Sequence, residues 1–188
     1  MRKIILASGS PRRRELLKDL GIEFEIYKPD VDETRLKDEK PEDLCLRLSR
    51  LKAMSGAERF PDSVIIAADT IVVIDEKILG KPKDREDAFN MLKILQGREH
   101  EVITGVSVAQ NQKIISHAEH TLVKFIELSD SEIREYISCG ESDDKAGAYA
   151  IQGRGAALIE GINGDYFNVV GLPLCSLSKM LKKIRNEE

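Results

Sequence analysis

Tryptophan is absent from the 188 residues of this chain, and aromatic residues of every kind make up only 5% of it. Few rings are therefore available on which nucleic-acid bases could stack. The formal net charge of -4 also supplies no basic footprint, so general nucleic-acid binding is disfavoured. Cysteine is sparse as well. Cys45, Cys139 and Cys175 are odd in number, far apart and without C-x-x-C spacing, which argues against a disulfide framework and a zinc site. No segment approaches the roughly 20 apolar residues of a membrane span. The apolar run behind Arg2 and Lys3 is too short for a secretory signal, and no N-x-[ST] acceptor occurs. A protein of the reducing cytoplasm is expected.

Several catalytic signatures are missing too. There is no G-x-x-x-x-G-K-[ST] phosphate loop and no H-E-x-x-H pair, and the G-x-S-x-G elbow is also absent. Internal repeats and low-complexity segments are absent. What remains is 41% hydrophobic and 33% charged, ordinary for a folded soluble enzyme and enough for a single domain over residues 1–188. Any anionic ligand must be held by local cations.

Hydrophobic periodicity and breakers outline the elements. Ile4 to Ala7 reads as a buried strand, followed by a helix with Ser10 as N-cap and Pro11 in its first turn. That helix is expected to reach about Leu20, with Leu16, Leu17 and Leu20 on its apolar face, and to stop at Gly21. "IEFEIYKP" reads as a second strand, and Leu44, Leu48 and Leu51 mark a second helix. "SVIIAADTIVVID" looks like two strand runs interrupted at Asp69 and Thr70, with a tight turn at Glu76-Lys77. A helix from about Arg85 to Leu95 precedes two long strands joined at Asn111-Gln112. Further helix signals run from Asp130 to Ile137 and along Leu174, Leu177, Leu181 and Ile184. The glycine-rich stretch between them suggests short β-like pieces, and "KKIRNEE" a solvated end. Long adjacent strands break strict βαβ alternation, so a mixed α/β sheet is expected.

The stretch "KIILASGSPRRREL" places three arginines where a helix begins. A helix N-terminus carries partial positive charge, so cations there are unfavourable unless an anion sits among them. Ser8, Gly9 and Ser10 offer backbone N–H groups, and Arg12 and Arg13 add forks suited to phosphate oxygens. A solvated basic first turn fits the same spacing. Asp69, set between "VIIAA" and "IVVID", is costly to bury unless paired or bound to a cation; it could also cap a turn. Glu33, beside Asp30 and Asp32, would complete an oxygen-rich site with it, or belong to a solvated acidic loop. Lys52 lies beside the apolar stripe of its helix, Lys81 stands in "GKP", and Gln152 in "AYAIQG" offers an amide donor and acceptor. Each of these three alone fits an ordinary surface or turn residue.

Taken in order, "SGSPRRREL", "VDE", "RLSRLKA", "AADT", "GKP", "TGV", "DKAGAYAIQG" and "NVVGLP" resemble the Maf nucleoside triphosphate pyrophosphatases. The resemblance runs from Ile4 to the last helix. It implies a strongly curved mixed sheet flanked by helices, with two lobes around a deep cleft, related to the inosine triphosphate pyrophosphatases. It further implies hydrolysis of a nucleoside triphosphate to the monophosphate and pyrophosphate by attack of water on the α-phosphorus. Asp69 is then the base, and Glu33 and Asp69 hold a divalent cation, magnesium or manganese. Ser8, Arg12, Arg13, Lys52, Thr70, Lys81 and Gln152 complete the substrate site. The family resembles two branches, one acting on dTTP and UTP and one on 7-methyl-GTP. Arg12, Thr70 and Gln152 match the first. A house-cleaning role against modified pyrimidine nucleotides and a homodimer are family expectations. The 7-methyl-GTP activity, or a nucleotide-binding cell-division regulator with little turnover, are the alternatives.

Overall fold

Ile4–Ala7 (β1) is a strand with every side chain buried, as in a strand covered on both faces. Parallel partners flank it on either side: Glu25–Tyr27 (β2), with Ile5 opposite Glu25, and Val64–Ile74 (β3), with Ile5 opposite Ile65. The computed structural model describes residues 2–111 and 113–186. Lys77–Leu79 (β4), Glu99–Gln110 (β5), Lys113–Phe125 (β6) and Ile159–Asn163 (β7) complete a seven-stranded sheet. Its order is β2-β1-β3-β5-β6-β7, with β4 paired to β3. The β3–β4 and β6–β7 pairs are antiparallel, so the sheet is mixed, as its long neighbouring strands suggested.

The helices are Pro11–Asp19 (α1), Pro41–Arg59 (α2), Arg85–Leu95 (α3), Asp130–Ser138 (α4), Tyr166–Val170 (α5) and Leu174–Asn186 (α6). Their ends follow local chemistry. Asp84 caps α3 by accepting from the Asp87 N–H, and Ser129 and Glu132 form a reciprocal capping box on α4. Among the described residues no helix is long and apolar enough to cross a membrane.

The chain divides into two compact units. The first comprises residues up to Asp69, Thr104–Glu119 and the chain from Gly171 onward; the second comprises Thr70–Ile103 and His120–Val170. Ile5, Ala7, Ala53, Ile65, Ala67 and Ala109 form a core of the first. The second is built on a larger cluster that includes Val72, Leu92, Phe125, Ile133, Tyr136 and Tyr149.

Several expectations need correction. β3 is one unbroken strand, not two runs, because Asp69 and Thr70 keep extended backbone in the middle of it. The tight turn falls at Asp75–Glu76, both with positive φ (49° and 62°), and Lys77 already belongs to β4; paired left-handed residues suit the twist of a two-residue hairpin. The second strand shrinks to Glu25–Tyr27. Leu20 ends α1 as its C-cap and is 42% exposed. The glycine-rich stretch contains short 3-10 turns at Ala146–Ala148 and Gly153–Leu158, and the helix α5, instead of β pieces alone. Asn111 of the β5–β6 turn has φ 50°, whereas Gln112, and Glu187 and Glu188 of the tail, lie outside the described residues.

On Gly105 of β5 a Cβ would lie 2.4 Å from the Cys45 carbonyl oxygen of α2, an obstacle of backbone that cannot rotate away. Gly105→Ala is expected to cost about 1–3 kcal/mol in urea denaturation, the range of core overpacking. In the second unit His100 is buried edge-to-face against Phe125 and Tyr149, with Nε2 2.7 Å from the Tyr149 hydroxyl. Burial lowers its pKa from 6.5 to about 4. The unfolded chain therefore takes up a proton that the fold refuses, and the stability this residue contributes is present above pH 6.5 and lost as pH falls towards 4. Denaturation midpoints measured across that window should fall for the native chain and fall less steeply for His100→Gln.

Candidate active site

The loop after β1 is organised by Ser8, which is buried. Its Oγ accepts from the Ser10 N–H at 3.2 Å and from Arg13 Nη1 at 3.2 Å. Ser10 holds the N-cap position in extended backbone with Pro11 behind it, but contrary to expectation its side chain makes no capping hydrogen bond. Arg13 also donates from Nε to the Gly171 carbonyl at 2.7 Å, so two segments 158 residues apart fix its guanidinium. Desolvation lowers its pKa from the usual arginine value, and the Asp69 carboxylate acts in the opposite direction. Arg12, half-buried on the same turn, adds a second guanidinium whose charge also lowers it.

Three ionic groups meet beside this loop. Lys52, on the buried side of α2, places Nζ 2.7 Å from Asp69 Oδ1 and 2.8 Å from Glu33 Oε1. The Lys52 and Asp69 side chains are 11% and 14% exposed, and that of Glu33 is 60% exposed. Glu33 thus forms the solvent-facing side of the cluster. Removing Lys52 would leave the two carboxylates without the cation they share, which is the costly case.

The loop that carries Glu33 is braced from α2. Arg47 donates to the two Glu39 carboxylate oxygens at 2.6 and 2.9 Å and to the Thr34 carbonyl at 3.0 Å. This forked pairing holds the Glu39 carboxyl below the usual range. Arg35 adds a bond of 2.6 Å to the Glu39 carbonyl. Sequence reasoning assigned no part to Glu39, Arg47 or Gly171. Nothing in local spacing marks the Arg13–Gly171 bond; only the resemblance of "NVVGLP" singled out that segment.

Among the described residues no group of three or more His, Cys, Asp or Glu side chains gathers to form a closed metal cage. The pair Asp69 and Glu33 nevertheless converges on one cation, the Lys52 ammonium. Two hard carboxylates are the donor set of a magnesium-type site, which takes its other oxygens from water and phosphate. The residues present fit such an ion.

The second unit holds Thr70, Lys81 and Gln152. Thr70 is half-buried on β3, whereas Lys81 and Gln152 are exposed on loops. The Gly80 carbonyl accepts from the Gly147 N–H at 3.0 Å, so the loop of Lys81 and the segment leading to Gln152 are joined through backbone.

A family model described as Maf-like protein matches residues 3–184. The chain belongs to the Maf family. A Maf relative from Clostridioides difficile, named dTTP/UTP pyrophosphatase, is 51% identical, the match covering 96% of this chain and 94% of that protein. One of the same name from Pyrococcus furiosus is 50% identical over 97% of this chain and 95% of its own. Among solved structures, the Staphylococcus aureus Ham1 protein superposes with a TM-score of 0.51 at 15% identity, covering 84% of this chain and 80% of that one. This last likeness concerns the fold alone.

Arg13→Lys tests the loop geometry. A lysine ammonium cannot reproduce the two directed bonds to Gly171 and Ser8, and the substitution is expected to cost about 1–3 kcal/mol in urea denaturation.

Proposed function

We infer that this Maf protein hydrolyses dTTP and UTP to the monophosphate and pyrophosphate. The observation that carries the chemical reading is the Lys52 ammonium held between Asp69 and Glu33, in the same unit as the Arg13–Ser8 loop. Water attacks the α-phosphorus, the bond to the bridging oxygen of the β-phosphate breaks, and pyrophosphate leaves with that oxygen's electron pair. Asp69 orients the attacking water and takes its proton. Arg13, Lys52 and Lys81 offset the charge of the triphosphate, with Ser8 and the helix start beside them. Glu33 and Asp69 would hold a magnesium or manganese ion, which when bound polarises phosphate oxygens. Arg12, Thr70 and Gln152 select the base. The Gln152 amide suits the O4 and N3–H edge of uracil or thymine, whereas a glutamate would accept from guanine donors.

The family match over residues 3–184 supports reading the chain as one catalytic domain. A cytoplasmic location, a homodimer, a role in clearing modified pyrimidine nucleotides and the lack of a nucleic-acid partner belong to the same reading.

The test is pyrophosphate release from UTP, dTTP, CTP, GTP and 7-methyl-GTP, with magnesium, manganese or chelator. UTP and dTTP should lead, chelator should stop the reaction, and Asp69→Asn should lower kcat by about 10²–10⁴-fold, the usual worth of a positioned base. Preference for 7-methyl-GTP would overturn the substrate and keep the reaction. Nucleotide binding without any turnover would overturn the enzyme reading.

A further inference from the structure

Gln152 stands exposed on a turn, yet the backbone on both sides of it is held by buried or half-buried side chains. Before it, the Tyr136 hydroxyl accepts from the Ala150 N–H at 3.1 Å, and Tyr149 is bonded to His100 at 2.7 Å. After it comes Gly153, with φ +65°, and the 3-10 turn that Gly153 begins. Glu141 closes that side. One of its carboxylate oxygens accepts from the Arg154 N–H at 3.0 Å and the other from the Gly155 N–H at 3.2 Å. A Cβ on Gly153 would lie 2.5 Å from Glu141 Oε1, so the carboxylate is packed directly on the residue that follows Gln152. A Cβ on Gly155 would lie 2.1 Å from the Ala150 carbonyl oxygen, so the two ends of the turn also close on each other. None of the family-like motifs includes Glu141.

A carboxylate accepts two N–H groups on separate oxygens without turning away from either; a carboxamide offers one acceptor and an alanine none. Charged acceptors at the start of a helical turn are also the stronger ones. Removing Glu141 would leave the Tyr136 clamp but free the far side of the turn. The amide of residue 152 would then be presented over a range of positions, and one hydrogen bond to a base tolerates little such freedom.

We propose that Glu141 is a positioning residue for Gln152 and, through it, a determinant of selectivity for a pyrimidine base that presents a carbonyl and an N–H. The proposal rests on the reading that Gln152 meets the base. Its effect falls on the ratio between nucleotides; a purely structural role would lower all of them together.

The experiment measures kcat/KM for UTP, CTP and GTP with full-length native chain, Glu141→Ala, Glu141→Gln, Gln152→Ala and the double variant Glu141→Ala/Gln152→Ala, each checked by thermal melting. The expected result is that Glu141→Ala lowers the UTP-over-CTP and UTP-over-GTP ratios by roughly five- to tenfold, the scale of one lost hydrogen bond. Glu141→Gln should fall between native and Ala, and the double variant should lose no more selectivity than Gln152→Ala. Should Glu141→Ala not fold, Glu141→Gln with its single remaining acceptor carries the test. A selectivity loss in Gln152→Ala with none in the Glu141 variants overturns the proposal and keeps Gln152 as the base reader. No loss in any variant overturns both. An equal fall for all three nucleotides in the Glu141 variants also overturns the proposal.

Discussion

The Lys52 ammonium between Asp69 and Glu33 is the interaction on which the first unit depends. A lysine this deep needs a counter-charge, and a carboxylate in the middle of a buried strand needs one equally. Each resolves the other's desolvation, provided that α2 lies close enough to β3. Small residues make that possible: Ala53, next to Lys52, is fully buried in one cluster with Ala7, Ile65 and Ala67. Larger side chains there would lift the helix off the strand, and the ammonium would no longer reach Asp69. Packing therefore sets the electrostatics, which in turn fix where the Asp69 carboxylate and the Lys52 ammonium stand relative to the Arg13 loop.

Much of this was legible from residues alone. Proline, serine and glycine punctuate α1, and the residue limits of α3 follow from its cap and its apolar spacing. The burial of β1 follows from its composition. The continuity of β3 was not legible, because polarity at Asp69 and Thr70 looks like a break until the parallel ladder to β1 is known to hold the start of the strand. The helix α5 was hidden by neighbouring glycines. The type of each ionic site residue could be read from the chain, but its partner could not. Arg13 reaches Gly171 across 158 positions, and Glu39 reaches Arg47 from the loop onto the helix. Such bonds are set by tertiary structure, and no local pattern encodes them.

The groups around the candidate site are held in two ways. In the first unit, Lys52 is held by two carboxylates, Arg47 by Glu39, and Arg13 by a backbone carbonyl and a hydroxyl. In the second unit, around the turn of Gln152, side chains hold backbone. Tyr136 receives the Ala150 N–H, Glu141 receives those of Arg154 and Gly155, and the Asn168 amide reaches the Val102 carbonyl. The first pattern suits charge neutralisation, where groups must respond to an incoming anion. The second suits selection, where an amide must stay in one place.

The net charge of -4 sharpens this contrast. A polyanionic substrate meets an overall acidic protein, so long-range attraction cannot supply binding, and in salt it would be screened beyond about 8–10 Å in any case. Binding must come from cations that are local and already oriented. Arg13 is oriented in advance by its two anchors, which cost it part of its solvation before any ligand arrives. Lys52 is held differently, its charge balanced by Asp69 and Glu33. A guanidinium fixed by two directed bonds and an ammonium balanced by two carboxylates are different cations to an approaching anion, the one a planar fork already aimed, the other a point charge already paired.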